Sequence, residues 1–128
     1  MGRWDKMEKA ARENGFVADD EVVQACGVSI GTTIQNADGT HDKDMQRHAL
    51  IVTDTKMHAI RMGAAGFKSL KEPLFSLPRE EVEFVRDGST LVFNTVDRSR
   101  IWSFAASAFG HNFDGVADAM VDRRGRGA

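Results

Sequence analysis

The feature that most constrains the fold is a pair of alternating segments separated by Asp87-Gly88. Residues 82–86 and 89–96 each place side chains on opposite faces with a period of two, as β-strands do. Both faces of the second segment are partly apolar. An Asp-Gly pair between two such segments is the strongest short hairpin signal. We therefore predict a β-hairpin at this position.

A third strand follows this hairpin. The polar run Asp97-Arg98-Ser99 turns the chain into residues 100–106, where Trp102 and Phe104 share one face. A sheet face this aromatic must be covered by another layer. We expect at least one of the two rings to be buried between the sheet and a C-terminal helix.

Further strands are predicted upstream. Residues 22–34 are rich in Val, Ile and Thr and predict a long first strand, with Gly27 and Gly31 as candidate bends. Residues 36–47 are polar and predict a connecting loop. The remaining predictions are strands at 49–53 and 56–62, a loop at 63–72, and a short edge strand at 73–77, because Pro73 cannot donate a main-chain hydrogen bond.

Two helices flank these strands. Residues 4–14 predict an amphipathic helix, capped by Asp5 and ended by Gly15. A second helix is predicted after Asn112. Its apolar stripe is too large to leave in water and consists of Phe113, Val116, Ala117 and Met120.

Composition indicates one domain that spans all 128 residues, with a helix over 1–15, a core over 21–121 and a disordered basic tail over 123–128. The net charge of -2 supplies no overall attraction to nucleic acid, so no nucleic-acid partner is expected. The single Cys26 excludes an internal disulfide and lies in an apolar run that predicts a buried, inert thiol. No signal core and no membrane-length apolar stretch is present, so a cytoplasmic protein is expected.

The order of these elements resembles the bacterial pleckstrin-homology-like and GRAM-like domains over residues 21–121. Two pieces carry the resemblance: 49–60, which looks like the second and third strands of that family, and 74–82, which leads into its fifth strand. The resemblance implies a mainly β fold. It would be a seven-strand, two-sheet sandwich or partly open barrel capped by a C-terminal helix. The N-terminal helix is an addition to the family pattern.

The loop between the first two strands argues against the family's best-known ligand. Domains of this family that hold phosphoinositides have basic residues there, whereas residues 36–44 contain three aspartates and one lysine, Lys43. An acidic loop repels a polyphosphate, so soluble inositol phosphates should bind poorly. The potential ligands Asp38, His41, Asp42, Asp44 and His48 do not match a calcium-loop template. We predict a solvated loop, with no metal and no cofactor.

No catalytic constellation is predicted. His58 alternates with Met57 and Ala59, which indicates a half-buried or surface histidine on a strand rather than a catalytic base. Ser107 and His111 lie in a segment without the sharp turn that presents a nucleophilic hydroxyl. A non-enzymatic protein is expected.

Two classes of binding function remain. The first is a protein-interaction or self-assembly module, in which an exposed strand edge or the N-terminal helix contacts a partner or a second copy. The apolar residues of that helix could instead cover the first strand within one chain, but we expect the contact between copies. The self-association residues predicted are Trp4, Met7, Ala11 and Val22. The alternative is a peripheral domain that binds anionic lipid through the 63–72 loop, with Phe67, Lys68, Leu70 and Lys71 as the binding residues.

Overall fold

The computed structural model describes residues 2–64, 66–105 and 112–127, with 122–127 described by backbone alone. Nine strand segments lie between two helices. In chain order the elements are α1 (Arg3–Glu13), β1 (Val23–Ser29), β2 (Gly31–Asn36), β3 (His41–Asp44), β4 (His48–Thr53), β5 (Lys56–Met62), β6 (Leu70–Pro78), β7 (Val82–Asp87), β8 (Thr90–Thr95), β9 (Arg100–Ala105) and α2 (Phe113–Gly127).

The strands form two antiparallel sheets. The four-stranded sheet has the order β1-β4-β5-β6, and the five-stranded sheet has the order β3-β2-β9-β8-β7. β1 and β2 are halves of one long strand that breaks at Ile30, and β3 and β4 are halves of the next. This long, bent hairpin therefore belongs to both sheets. Counted as two strands, it gives the seven-strand, two-sheet architecture that was predicted.

The bend at Ile30 is fixed by hydrogen bonds to β9. The Ile30 N–H donates to the Ala105 carbonyl over 3.1 Å, and the Ser29 hydroxyl donates to the same carbonyl over 3.1 Å. Gly31 follows the break directly, as predicted, whereas Gly27 pairs regularly with Leu50 and forms no bend.

Several boundaries differ from the sequence prediction, and three of the differences concern loops and turns. β3 lies inside the predicted 36–47 loop. A turn at Gly39 (φ +87°) brings this polar segment alongside β2. Main-chain pairing with β2 stabilises β3 although its side chains are largely exposed. β6 begins at Leu70 rather than at Pro73, after a 3₁₀ turn at Gly66–Lys68. Asp87 pairs with Thr90, so the hairpin turn lies one residue later than Asp87-Gly88 predicts.

The main core lies between the two sheets and under α2. It confirms the prediction for the aromatic pair, because Trp102 is 3% exposed and Phe104 is fully buried. The buried members of this cluster are Leu50, Val52, Met57, Ala59, Phe75, Val82, Leu91, Phe93, Trp102, Phe104, Phe113, Val116, Ala117 and Met120.

A second core lies on the outer face of the four-stranded sheet, where α1 covers it. Met7 and Ala11 are fully buried there, and Gly15 ends the helix in the left-handed conformation (φ +77°). Cys26 is buried in this cluster, and burial raises the pKa of its thiol to about 12, which makes it unreactive. The buried members are Met7, Ala10, Ala11, Val17, Cys26, Val28, Ala49, Ile51, Ile60, Met62 and Leu70.

α2 is joined to the four-stranded sheet at two points. The Asn112 side-chain amide donates to the Cys26 carbonyl over 2.7 Å at the start of the helix. Further along, the buried Arg79 guanidinium donates to the Ala119 and Met120 carbonyls over 2.9 and 3.1 Å. α2 extends to Gly127, and disorder of the basic tail over 123–128 stays a prediction.

Candidate functional site

An open cleft of about 680 Å³ lies between the two sheets, and we call it the inter-sheet cleft. It is bounded by the β2–β3 turn, the β8–β9 turn and the side of β6. Its apolar wall consists of Leu74, Phe75, Leu77 and Trp102, and its polar rim consists of Asn36, Asp38, Thr40, Thr95, Ser99 and Arg100. A volume of this size falls within the range of ligand-binding pockets.

Trp102 is a buried aromatic residue of the cleft wall. Its indole stacks on Phe75 with ring centroids 4.2 Å apart and an angle of 29° between the planes. Within the described part of the chain, its Nε1–H is buried and has no hydrogen-bond partner. A buried donor without an acceptor is unfavourable by about 1–3 kcal/mol.

Both turns at the rim are held by their own acidic side chains. The Thr40 hydroxyl and main-chain N–H donate to Asp38 over 2.6 and 2.9 Å, and these bonds lower the pKa of that carboxyl. In the other turn the Ser99 N–H donates to Asp97 over 3.0 Å, and hydrogen bonding lowers the Asp97 pKa to about 2. The rim is therefore preorganised before any partner arrives.

Two further acidic side chains of the segment 36–44 form hydrogen bonds with other residues of the chain. Asp44 accepts a 2.6 Å hydrogen bond from Arg61, which also pairs with Glu72, and Asp42 accepts one from Asn36 over 3.0 Å. Burial alone would raise the Asp44 pKa, but the bonds from Arg61 and the Gln46 N–H lower it overall. In the described ranges no three His, Cys, Asp or Glu side chains are placed to hold a metal ion.

A second surface joins the start of α1 to the loop before β6, and we call it the helix–loop surface. The rings of Trp4 and Phe67 meet edge to face with centroids 5.5 Å apart. The Arg3 guanidinium carbon lies 4.8 Å from the Trp4 ring centroid and 6.0 Å from that of Phe67. Lys68, next to Phe67 in the chain, is exposed, and so is Lys71 in β6. Two aromatic rings and the Arg3 guanidinium therefore lie close together, with two lysines in the adjoining segment.

The residues predicted for lipid binding are divided by the fold. Phe67, Lys68 and Lys71 lie at the helix–loop surface, whereas Leu70 is 8% exposed and belongs to the core under α1. Leu70 is thus unavailable to a membrane because its side chain packs inside the chain.

The residues predicted for self-association are divided in the same way. Met7 and Ala11 are fully buried against the four-stranded sheet, so the helix has the intramolecular role that we ranked second. Trp4 is half-buried against Phe67, and Val22 remains 60% exposed. Of these four predicted residues, Trp4 and Val22 are the two whose side chains remain accessible to a second copy in this conformation.

His58 is 1% exposed, more deeply buried than its strand position predicts. Ser107 and His111, weighed as catalytic candidates, lie outside the described residues. The sequence analysis missed the cleft residues Leu74 and Leu77. Their apolar character was visible, but nothing local showed that the opposite sheet would leave a gap there.

Comparison with known proteins supports the fold. No family profile and no curated protein matches the sequence. Among solved structures, one of Vav1 bound by an allosteric inhibitor matches with a TM-score of 0.57 and 6% identity, over 94% of this chain and 33% of that one. The linker-DH/PH domains of p115-RhoGEF match with a TM-score of 0.55 and 7% identity, over 97% of this chain and 41% of that one.

The Slm1 PH domain in complex with inositol 4-phosphate is also similar, with a TM-score of 0.49 and 14% identity, over 80% of this chain and 96% of that one. This chain thus spans well under half of the Vav1 and p115-RhoGEF chains. The Vav1 and p115-RhoGEF matches and the two-sheet topology together define a pleckstrin-homology-like fold. None of the described helices is both long and apolar enough to cross a membrane.

Proposed function

We propose that this protein is a non-catalytic protein-interaction module whose inter-sheet cleft receives an apolar side chain of a partner protein. The observation that carries the proposal is the apolar wall of the cleft between two preorganised turns, where Leu74 and Leu77 are half-buried above the buried Trp102. An apolar floor inside a polar rim is the arrangement found at the centre of protein interfaces. We propose a cytoplasmic location for this activity.

The charges at the rim favour a protein over a polyphosphate. Asp38 and Arg100 have opposite signs, so the cleft concentrates no positive charge. Val96, which follows the rim residue Thr95 in the chain, is 54% exposed. An extended segment with one aromatic or branched aliphatic side chain fits this chemistry.

The experiment is selection of a random phage-displayed peptide library on the immobilised full chain. Enriched peptides should share an apolar anchor, bind the wild type, and lose at least about tenfold in affinity, or 1.4 kcal/mol, against Leu74→Asp. Val85→Asp is the matched control, because Val85 is an exposed strand residue outside the cleft. Enriched peptides that bind both variants equally would contradict the proposal.

Self-assembly is the variant in which the partner is a second copy. Light scattering at tens of micromolar would then give a mass several times 14.1 kDa. Loss of that mass in Val22→Asp would assign the contact to the strand-edge side, and its loss in Leu74→Asp would assign it to the cleft. A monomeric mass for the wild type would leave another protein as the partner.

A second candidate function is peripheral binding to anionic membranes through the helix–loop surface. It is supported by the contact of Arg3 with the Trp4–Phe67 pair beside Lys68. Aromatic rings suit the lipid interface, and each cation near an anionic surface contributes about 1 kcal/mol. Phosphatidylserine vesicles should sediment the wild type and Lys56→Glu, but not Lys68→Glu. Equal sedimentation with phosphatidylcholine vesicles would exclude this function.

A further inference from the structure

Three side chains on the α1 side of the four-stranded sheet form a continuous hydrogen-bonded chain. The Ser76 hydroxyl lies 2.8 Å from His58 Nδ1, and His58 Nε2 lies 2.8 Å from Glu21 Oε1. Ser76 is exposed, whereas His58 is 1% and Glu21 5% exposed. An accessible hydroxyl is thus connected through a buried imidazole to a buried carboxylate.

Glu21 fixes the roles of the two imidazole nitrogens. Its carboxylate also accepts hydrogen bonds from the Ala18 N–H over 2.7 Å and the Thr53 hydroxyl over 2.8 Å. Burial alone would raise the Glu21 pKa, but the bonds from His58, Ala18 and Thr53 outweigh it and lower the pKa overall. The ionised carboxylate accepts a hydrogen bond from the Nε2–H of His58. In the neutral ring, Nδ1 is then left as the acceptor for the Ser76 hydroxyl.

The Ser76 main chain supplies one more group. Pro78 pairs with Lys56 but has no N–H to donate. The Arg79 N–H donates to the Thr55 carbonyl instead, which is the pattern that flanks a non-hydrogen-bonded pair in an antiparallel sheet. Two residues along, the His58–Ser76 pair is of the same type, which brings the two side chains close together. β6 is the last strand of its sheet, so the Ser76 N–H points away from β5 at an open edge.

We propose that Ser76 is a nucleophilic serine that accepts an acyl group from small activated esters or thioesters. Its oxygen attacks the acyl carbonyl carbon while the hydroxyl proton moves to His58 Nδ1. Glu21 stabilises the resulting imidazolium, and the outward Ser76 N–H donates to the oxyanion. The bond to the leaving group then breaks, the proton passes to that group, and an ester on Ser76 remains. The step modifies the chain once and includes no turnover, so it is compatible with a non-catalytic interaction module.

This site is independent of the inter-sheet cleft. Phe75 and Leu77 line the cleft, whereas Ser76 between them contacts His58 on the opposite face of the sheet. Leu74 also lines the cleft because it lies at the register shift between Pro73 and Phe75, where the alternation is interrupted. The open surface around Ser76 suits a small acyl donor. In these roles Ser76 is the nucleophile, His58 the general base and Glu21 a positioning residue.

The experiment uses p-nitrophenyl acetate on the full chain at neutral pH, with acetylation located by peptide mass spectrometry. Ser76 should be acetylated roughly 10²-fold faster than Ser89, an exposed serine in the β7–β8 turn of the same molecule, because a general base contributes at least that factor. The comparison takes place within the wild-type protein and requires no variant to fold.

Two variants separate the roles. Ser76→Ala should abolish the fast release of p-nitrophenolate, and Glu21→Gln, where it folds, should slow acetylation of Ser76 but not of Ser89. Ser76 acetylated no faster than Ser89 in the folded wild type would overturn the proposal. The network would then serve only to anchor the segment before β1.

Discussion

The stacked rings of Phe75 and Trp102 join the two sheets, since Phe75 belongs to β6 and Trp102 to β9. Their contact also forms part of the wall of the inter-sheet cleft. One aromatic pair therefore serves the core and the proposed binding surface together. Substitutions at Trp102 should reveal both roles.

Trp102→Ala should lower the free energy of unfolding by roughly 3–5 kcal/mol, because it removes a buried indole and leaves a void against Phe75. Trp102→Phe should cost less, since it keeps a ring for stacking and removes a buried N–H without an acceptor among the described residues. Chemical denaturation measures both values. Equal losses for the two variants would show that stacking contributes little.

Arg79 should be essential for the attachment of α2. Its guanidinium donates to the Thr53 carbonyl in β4 as well as to two α2 carbonyls, and it is 7% exposed. Arg79→Met leaves buried carbonyls without this donor, and we expect a loss of about 2–4 kcal/mol. Arg98→Met, at an exposed position in the β8–β9 turn, is the control. A stability unchanged by Arg79→Met would assign the attachment to apolar packing alone.

Stability should fall as the pH is lowered below about 6.5, the ordinary pKa of histidine. Burial lowers the pKa of His48, so the unfolded chain binds a proton there before the folded chain does. The contribution of His48 to stability is complete above the pKa that His48 has in the unfolded chain. It is lost as the pH falls from there towards the lower pKa of His48 in the folded chain. Asp44, with a lowered pKa, extends the loss below about pH 4.

The measurement is the unfolding midpoint in urea between pH 7.5 and 5. His48→Gln should flatten this dependence, whereas His41→Gln, an exposed histidine of the same hairpin, should leave it unchanged. A slope that persists in His48→Gln would place the titration elsewhere.

α2 should be indispensable as far as Met120. Removal of residues from Asn112 onward exposes the core that Phe113, Val116 and Met120 cover, and should give aggregated or unfolded protein. Removal of residues 122–128 spares those contacts and is the matched control. A cooperative thermal transition in the shorter of the two chains would show that the cap is dispensable.

Much of the fold was predictable from local patterns. β5 was predicted with the bounds it has, Lys56 to Met62, because its apolar residues follow a short polar turn at Asp54-Thr55. The start of α2 after Asn112 followed from its apolar stripe. β3 was missed because its exposed side chains have no strand pattern, and pairing with β2 holds it in place.

The sites were less predictable because distant residues form them. Ser76 and His58 are 18 positions apart and Glu21 lies a further 37 away, so no spacing rule connects them. The inter-sheet cleft likewise depends on how two sheets splay, which alternation within β6 or β9 does not encode. Burial of Met7 and Ala11 within the chain required knowing which sheet face was uncovered.

The long hairpin that bends at Ile30 has a consequence for how the protein unfolds. Since each of its arms contributes a strand to both sheets, neither sheet can come apart while the other keeps all its strands. Melting of the whole domain should therefore be all-or-none, with calorimetric and van't Hoff enthalpies that agree. The corner held by Ser29 and Ala105 would then open only in the global event, and its amides should exchange with solvent among the slowest in the chain.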